Sequence, residues 1–587
     1  MTTSPRALLG LAAVAVAFAA ADTYVVVLAL PDMMSGVGLA VDELQRAAPI
    51  VSGFLLGYVA ILPLIGRVSD IRGRLPVLVG SLLVFALGSL VTAASYDLTS
   101  MVVGRFLQGV GGGGLVPATL ALVADLYPPS RRGVPLGVVG AVQELGSVLG
   151  PLYGALVLAL GGWRAIFWVN LAVGLALAAV LVALRRGASP VLPVGPGLSS
   201  PQAPTGVVPS RARGTDLLSV GLATIALGLL TLVLLEPEPL LSGVTTGLAF
   251  LPVAGGSRWL SPVALALYTT VAALVVRSLR TAHPLLDLHG WAAVARRADL
   301  FGASLLAVSL GGVILAFATA DPQVQVFSPA GPWFLLVSAG AAALLWWRTR
   351  RVEEPLVPHG AFSATAAWGS LLVSFFVGAA LIAALVDIPI FARITVYPGS
   401  QFMAALVLVR LLVALPAGAL LGGYLLRVLP AGVTTAAGMA LAAVAFVWMS
   451  GWGLTSLREP VSSVPLVMAG LGFGLALAPV NASLLAATAD AVHGVASALL
   501  VVARMVGMLV GISALTTIGL RRYYAVQVDL PDPSAVCGGS TRCAEYTTLL
   551  KEAGLAQLQT VFVGAAVCAI AAGALALLTF RSSRVAR

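Results

Sequence analysis

The 587-residue chain is 59% hydrophobic and 10% charged, with a mean hydropathy of +1.03, where a soluble domain carries about 25% charged residues; this excludes an ordinary soluble protein. The net charge of +10 and a pI near 10.0 would point to nucleic acid in a soluble chain. Here the cations sit in short loops between apolar runs, with no interleaved aromatics, as the positive-inside rule requires. No nucleic-acid partner is expected.

Apolar runs long enough to cross a hydrocarbon core of about 30 Å recur from end to end. They lack the two-residue alternation of barrel strands, so the fold class is an all-α polytopic membrane bundle. Six runs come first, at roughly 7–30, 47–66, 76–94, 101–124, 134–160 and 164–184. The first continues past Asp22 to Pro31 without a small-residue cleavage site and reads as a retained span rather than a signal peptide. Residues 185–214, rich in Pro, Gly and Ser and bounded by Arg, read as an exposed linker.

Four further runs follow, near 215–236, 262–279, 298–319 and 332–348, in the pattern of a tandem hairpin repeat. Asp216-Leu217-Leu218 opens one hairpin and Asp299-Leu300-Phe301 the next; they end in RTAHPLLDLHG (280–290) and RRVEEPLVPHG (350–360). Six runs close the chain, at 366–393, 403–427, 431–450, 463–487, 494–520 and 558–580. The count is sixteen spans, or fourteen with one re-entrant hairpin, because the 332–348 run is barely long enough. The expected organisation is a six-helix bundle at 1–184, the linker, two inserted hairpins at 215–364, and a second six-helix bundle at 365–587.

The loops at 67–75, 125–133, 280–297 and 349–354, with the linker, hold most of the Arg and fall on one side of the count. That side is expected to be cytoplasmic, with both termini inside and the chain in the cell membrane. Residues 521–557 become a long external loop, polar enough for its flanking helices to extend beyond the membrane. It holds Cys537 and Cys543 in CGGSTRC, outside the reducing cytoplasm, a candidate disulfide whose alternative is two free thiols. Cys568 reads as packing.

Six ionisable residues interrupt the apolar runs: Asp22, Arg105, Glu144, Asp387, Arg410 and Arg504. Each costs about 2.5–3.5 kcal/mol at mid-membrane, so each is expected to face a cavity or a partner. The bland alternative is a set of structural ion pairs, and it weighs evenly for Asp387, near the external end of its run. Desolvated carboxylates can take up and release protons, which makes Asp22 and Glu144 the candidate carriers. Arg410 and Arg504 lie in the other half, so a pair between halves would have to break when the halves move.

Gly146, Gly150 and Gly154 line one helical face, a small-residue stripe that lets backbones approach, and Glu144 lies about 160° away from Gly146. Pro151 removes a backbone donor where the glycines weaken the span. Further small faces run through Gly109 and Gly111–Gly114 and through ALPAGALLGG at 414–423. Four His, no Cys-x-x-Cys, no P-loop and no Gly-x-Ser-x-Gly leave no enzyme constellation; no metal or cofactor is expected.

With these motifs placed, the chain resembles the major facilitator superfamily, in its drug:proton antiporter branch. Gly66-Arg67-Val68-Ser69-Asp70-Ile71-Arg72-Gly73-Arg74 is similar to the cytoplasmic gate motif between spans two and three, with Ile71 and Leu75 where basic residues are usual. Arg105-Phe106-Leu107-Gln108-Gly109 looks like the fourth-span proton-coupling motif, and Gly146-Ser147-Val148-Leu149-Gly150-Pro151 like the antiporter motif of the fifth. A closer resemblance, through ADTYVVV (21–27), QELGSVLGPLYG (143–154), LVALPAGALLGG (412–423) and VVARMVGMLVG (501–511), is to the mycobacterial and actinobacterial exporters of triacylglyceride-type lipids and drugs. That resemblance implies a periplasmic lipoprotein partner, helices projecting around 521–557, and a fifth span packed near the eighth, which favours Glu144 with Arg410 over Glu144 with Arg504. The function it implies is proton-coupled lipid export by alternating access. Export of amphipathic drugs is the first alternative, and a non-transporting scaffold for a lipoprotein the second.

Overall fold

The computed structural model describes residues 5–39, 44–187, 216–281, 284, 286–318, 328–352, 355–398, 400–538 and 543–580. The expected linker at 185–214 lies, apart from its first three residues, outside this set. A backbone in hydrocarbon must satisfy its own hydrogen bonds, and the described chain is helix after helix. The first bundle comprises α1 (Pro5–Gly36), α2 (Leu44–Arg72), α3 (Arg74–Ala93), α4 (Leu98–Leu126) and α5 (Gly133–Gly187).

Gly162 divides α5 into two arms with a φ of 71°, a left-handed conformation that favours glycine. The chain folds back there, because Tyr153 Oη lies 3.4 Å from Asn170 Oδ1 on the other arm. The inserted region holds α6 (Leu217–Leu235), the single turns α7 (Glu238–Leu241) and α8 (Val244–Gly247), α9 (Pro262–Arg280), α10 (Leu288–Arg297), α11 (Leu300–Ala318) and α12 (Gly331–Thr349). The second bundle comprises α13 (Thr365–Thr395), α14 (Gln401–Leu425), α15 (Ala431–Ser450), α16 (Ser463–Ala487), α17 (His493–Val528), the single turn α18 (Pro533–Val536) and α19 (Ala544–Thr579).

By length and apolar composition, 14 segments among the described residues can cross a membrane. α1 and α12, helices of 32 and 19 residues, fall outside that count. Much of 521–557 is helix instead of loop: α17 and α19 are 36 residues each, about 54 Å against a hydrocarbon core of about 30 Å. Cys537 and Cys543 are bonded to each other between them.

The two bundles are assembled by the same device. In the first, Gly146 and Gly150 of α5 lie on the backbone of Ala17 and Ala21 in α1, while Gly109 and Gly113 of α4 lie on Phe54 and Tyr58 in α2. In the second, Gly507 and Gly511 of α17 lie on Phe375 and Ala379 in α13, and Gly470 and Gly474 of α16 on Leu411 and Leu415 in α14. A side chain at any of these eight positions would hold the helices apart.

Each inserted hairpin is closed at its base by the same clamp. Asp216 accepts the Ser219 N–H at the start of α6 and pairs with Arg277 in the last turn of α9 at 2.6 Å. Asp299 accepts the Gly302 N–H at the start of α11 and pairs with Arg348 in the last turn of α12 at 2.8 Å. Hydrogen bonds from Arg277 and then Ser219 hold the Asp216 carboxyl at a pKa of about 2, so this clamp stays ionised at any physiological pH.

The first hairpin is fastened to the first bundle at both ends. Asp287 pairs with Arg72, whose guanidinium lies over Trp291 of α10, and at the opposite end Trp259 Nε1 donates to Tyr96 Oη at 3.2 Å. The second hairpin differs, since α11 packs on both α2 and α17 and touches both bundles.

The glycine device gives a paired prediction. A Cβ at Gly146 would overlap the Ala17 carbonyl oxygen, whereas one at Gly228 in α6 meets nothing within 4 Å. Gly146→Val should therefore lose about 1–3 kcal/mol to overpacking, read as a lower thermal unfolding midpoint in detergent, while Gly228→Val leaves the midpoint unchanged.

Candidate functional site

Arg105 is the largest fully buried side chain, 1% exposed. Its Nη1 donates to Asp22 Oδ2 at 2.7 Å and to Gln108 Oε1 at 2.8 Å, and its guanidinium lies 4.4 Å from the centre of the Phe54 ring. Asn170 Nδ2 donates to the other Asp22 oxygen, and Gln108 Nε2 donates to Ser89 Oγ at 2.9 Å. All five helices of the first bundle thus converge on one charge pair whose polar atoms are largely spent on one another. Among the described residues, Asp22 makes no ion pair with an Arg of the second bundle. Asn170 escaped the sequence analysis because an amide inside an apolar run carries no charge to mark it.

Glu144 lies in the first arm of α5, on the side away from the Gly146 and Gly150 stripe. Its Oε1 stands 3.9 Å from Arg504 Nη1 of α17, and each side chain is 13% exposed. The two line a small cavity of about 40 Å³ between the bundles, with Gln143, Ser374 and Asn481 among otherwise apolar walls such as Val116, Leu136 and Val480. The charge pair therefore spans the seam at its middle.

Arg410 is not Glu144's partner, contrary to the expectation. α5 and α14 do pack, with Gly133 and Gly137 against Gly423 and Ala419. At 100° per residue, however, Arg410 lies about 180° around α14 from Ala419. It turns to α16 instead, donating to Ser463 Oγ at 3.0 Å in a second cavity lined by Tyr397, Arg458 and Glu459. Asp387 is buried in α13 at 5% exposure, with no hydrogen-bond or ion-pair partner among the described residues.

The Gly66–Arg74 motif lies where α2 meets the start of α17. The first N–H groups of a helix have no partner within it, and Asp70 of the other bundle accepts two of them, from Gly494 at 2.8 Å and Val495 at 3.1 Å. An anion there also complements the helix dipole. Arg74 pairs with Asp70, donates to Ser69 Oγ at 3.1 Å and stands 3.3 Å from Asp125. Gly66 and Gly494 pack backbone to backbone, and Gly73 takes a φ of 93° at the turn into α3. Arg132 and Asp490 face each other across the same end at 3.9 Å.

Gly154 packs on Val25 of α1, and Pro151 lies within α5, its side chain outside the described set. Among the described residues no cluster of His, Cys, Asp and Glu could hold a metal.

Two helical bundles, joined by the same glycine contacts and meeting around a largely apolar cavity with an ion pair across the seam, define a membrane transporter. Residues 12–320 match the family model described as Major Facilitator Superfamily. The triacylglyceride transporter of Mycobacteroides abscessus is 34% identical over 534 residues, covering 88% of this chain and 82% of that protein. The triacylglyceride transporter of Mycolicibacterium smegmatis is 33% identical over 587 residues, covering 96% and 85%. Among solved structures, the human organic anion transporter MFSD10 aligns with a TM-score of 0.51 over 98% of this chain and all of that one, at 14% identity, which is a likeness of fold alone. The chain belongs to the major facilitator superfamily.

The buried network predicts a large and non-additive cost. Asp22→Ala or Arg105→Ala should each destabilise the protein by about 3–5 kcal/mol, because each strands a buried charge. The double substitution should cost less than the two singles together; thermal unfolding of the four proteins in one detergent checks this.

Proposed function

We propose that this transporter exports triacylglyceride-like lipids across the cytoplasmic membrane by proton-coupled alternating access. The observation that carries the reading is the Glu144–Arg504 pair, which links the bundles inside a largely apolar cavity between them. A proton on Glu144 removes the attraction across the seam, and its release restores it. Charge state and bundle separation are then one variable. The apolar walls offer a lipid dispersion contacts and few polar anchors, and the mycobacterial relatives are named for triacylglyceride transport.

In this reading the Arg-rich end is cytoplasmic, both termini are inside, and the Asp70 grip on α17 is the cytoplasmic gate that must open to admit substrate. α17 and α19 reach past the membrane on the other side, where a periplasmic lipoprotein would receive the lipid. Asp22 serves by fixing Arg105 inside its bundle. Glu144 is the proton carrier.

Reconstitution in proteoliposomes with labelled triacylglyceride and an imposed pH gradient tests this. Wild type should move lipid in proportion to the gradient, Glu144→Gln should move it without dependence on the gradient, and Arg504→Glu should be inactive. Combining Arg504→Glu with Glu144→Arg should recover gradient-dependent movement if the pair is the link, because the exchanged pair again holds one protonatable carboxylate. Movement of a cationic dye with no movement of lipid would overturn the substrate, and a Glu144→Gln protein that keeps its pH dependence would overturn the carrier.

A further inference from the structure

The central cavity holds two side-chain amides besides its ion pair, one from each bundle: Gln143 of α5 and Asn481 of α16. Asn481 Nδ2 donates to the Leu477 carbonyl of its own helix at 2.9 Å. That bond fixes which way round the amide lies, since the oxygen could not face a carbonyl. Asn481 Oδ1 is buried and receives no hydrogen bond from the protein. Gln143 uses neither atom of its side-chain amide within the described residues, although its backbone carbonyl accepts from Ser147 Oγ at 3.5 Å.

An acceptor without a donor in an apolar cavity costs free energy that a ligand donor can recover. The demand is specific, because Asn481 Oδ1 can only accept. Fully esterified glycerol has no donor; every oxygen of a triacylglyceride is an acceptor, suited to Arg504 and to the Gln143 amide nitrogen. A glyceride with one free hydroxyl supplies both kinds of group, its ester oxygens facing Arg504 and Gln143 and its O–H facing Asn481. Arg504, Gln143 and Asn481 then have complementary partners on one glycerol backbone.

We infer that Asn481 is a specificity-determining residue of the cavity, and that the cavity binds a hydroxyl-bearing acylglyceride, of the diacylglyceride kind, in preference to the fully esterified lipid. The inference rests on the lipid reading above and sharpens its substrate class. Ser374 does not compete for the role, since its hydroxyl donates to the Leu500 carbonyl at 3.0 Å.

Binding is the measurement to make, on the purified full chain in detergent, with a radiolabelled triacylglyceride and a 1,2-diacylglyceride of matching acyl chains as competitor. The diacylglyceride should compete about five- to tenfold better than unlabelled triacylglyceride, the worth of about one hydrogen bond. Asn481→Leu should erase that preference by weakening diacylglyceride alone, and its retained triacylglyceride binding would show that it is folded. Gln143→Leu should weaken both lipids alike, because ester oxygens are common to them. Equal competition in wild type, or a preference that survives Asn481→Leu, would overturn the inference and leave lipid export standing. No saturable binding of either lipid to wild type would overturn both. The wild-type ratio needs no variant, so the inference is tested even if Asn481→Leu does not fold.

Discussion

The approach of glycine faces to neighbouring backbones is the contact on which the rest of this molecule depends. With lipid on the outside as apolar as leucine, burial of apolar surface gives helices little reason to associate, and packing must do it. Glycines four residues apart bring α5 onto α1, α4 onto α2, α17 onto α13 and α16 onto α14. Once those pairs are set, the rotation of each helix is set, and so is the direction of every charged side chain. Glu144 looks into the cavity because Gly146 and Gly150 hold the other side of α5 against α1. Arg504 is placed differently, on the glycine side of α17 about 60° from Gly507 and about 20° from Gly511, beside the contact with α13.

Much of this was legible in the sequence, and what was not has a common cause. Span limits follow from local composition. The two hairpins announced themselves through Asp216 and Asp299, whose repeat now has a meaning, since each caps one helix and clamps the Arg at the end of the next. Gly66, Asp70, Gly73 and Arg74 stood out through the resemblance of their loop to a superfamily motif. The partner of Glu144 could not. α14 is apolar nearly all round, so its sequence shows no stripe from which to read the direction of Arg410. That α5 packs near α14 was a sound expectation; the step from neighbouring helices to neighbouring side chains needed a rotation angle. The first sign available in the sequence was Ala419 and Gly423 in the small-residue run, half a turn away from Arg410.

The inserted hairpins extend the same logic outward. The first hairpin is tied to the first bundle at Arg72 and Tyr96, so it rides with that bundle. α11 of the second lies on α2 and α17, with Ile314 buried in the core of the first bundle. A helix seated across the seam is loaded whenever the seam opens. Its base clamp at Asp299, joined by the Leu356 N–H at 3.2 Å, keeps the pair of helices together as a unit under that load.

The buried carboxylates differ in what surrounds them, and the difference locates the moving parts. Asp22 has Arg105 on one oxygen and Asn170 on the other, all within one bundle. None of those bonds crosses the seam, so the network serves the integrity of its half. Asp70 and Glu144 both reach across the seam. Asp70 holds two backbone N–H groups at a helix start, groups that water satisfies when the helix end is exposed, so breaking this grip exchanges one set of hydrogen bonds for another. Glu144 has no such exchange available in an apolar cavity. Parting it from Arg504 leaves two charges in poor surroundings unless a proton cancels one of them. Breaking the Asp70 grip therefore costs less than parting Glu144 from Arg504.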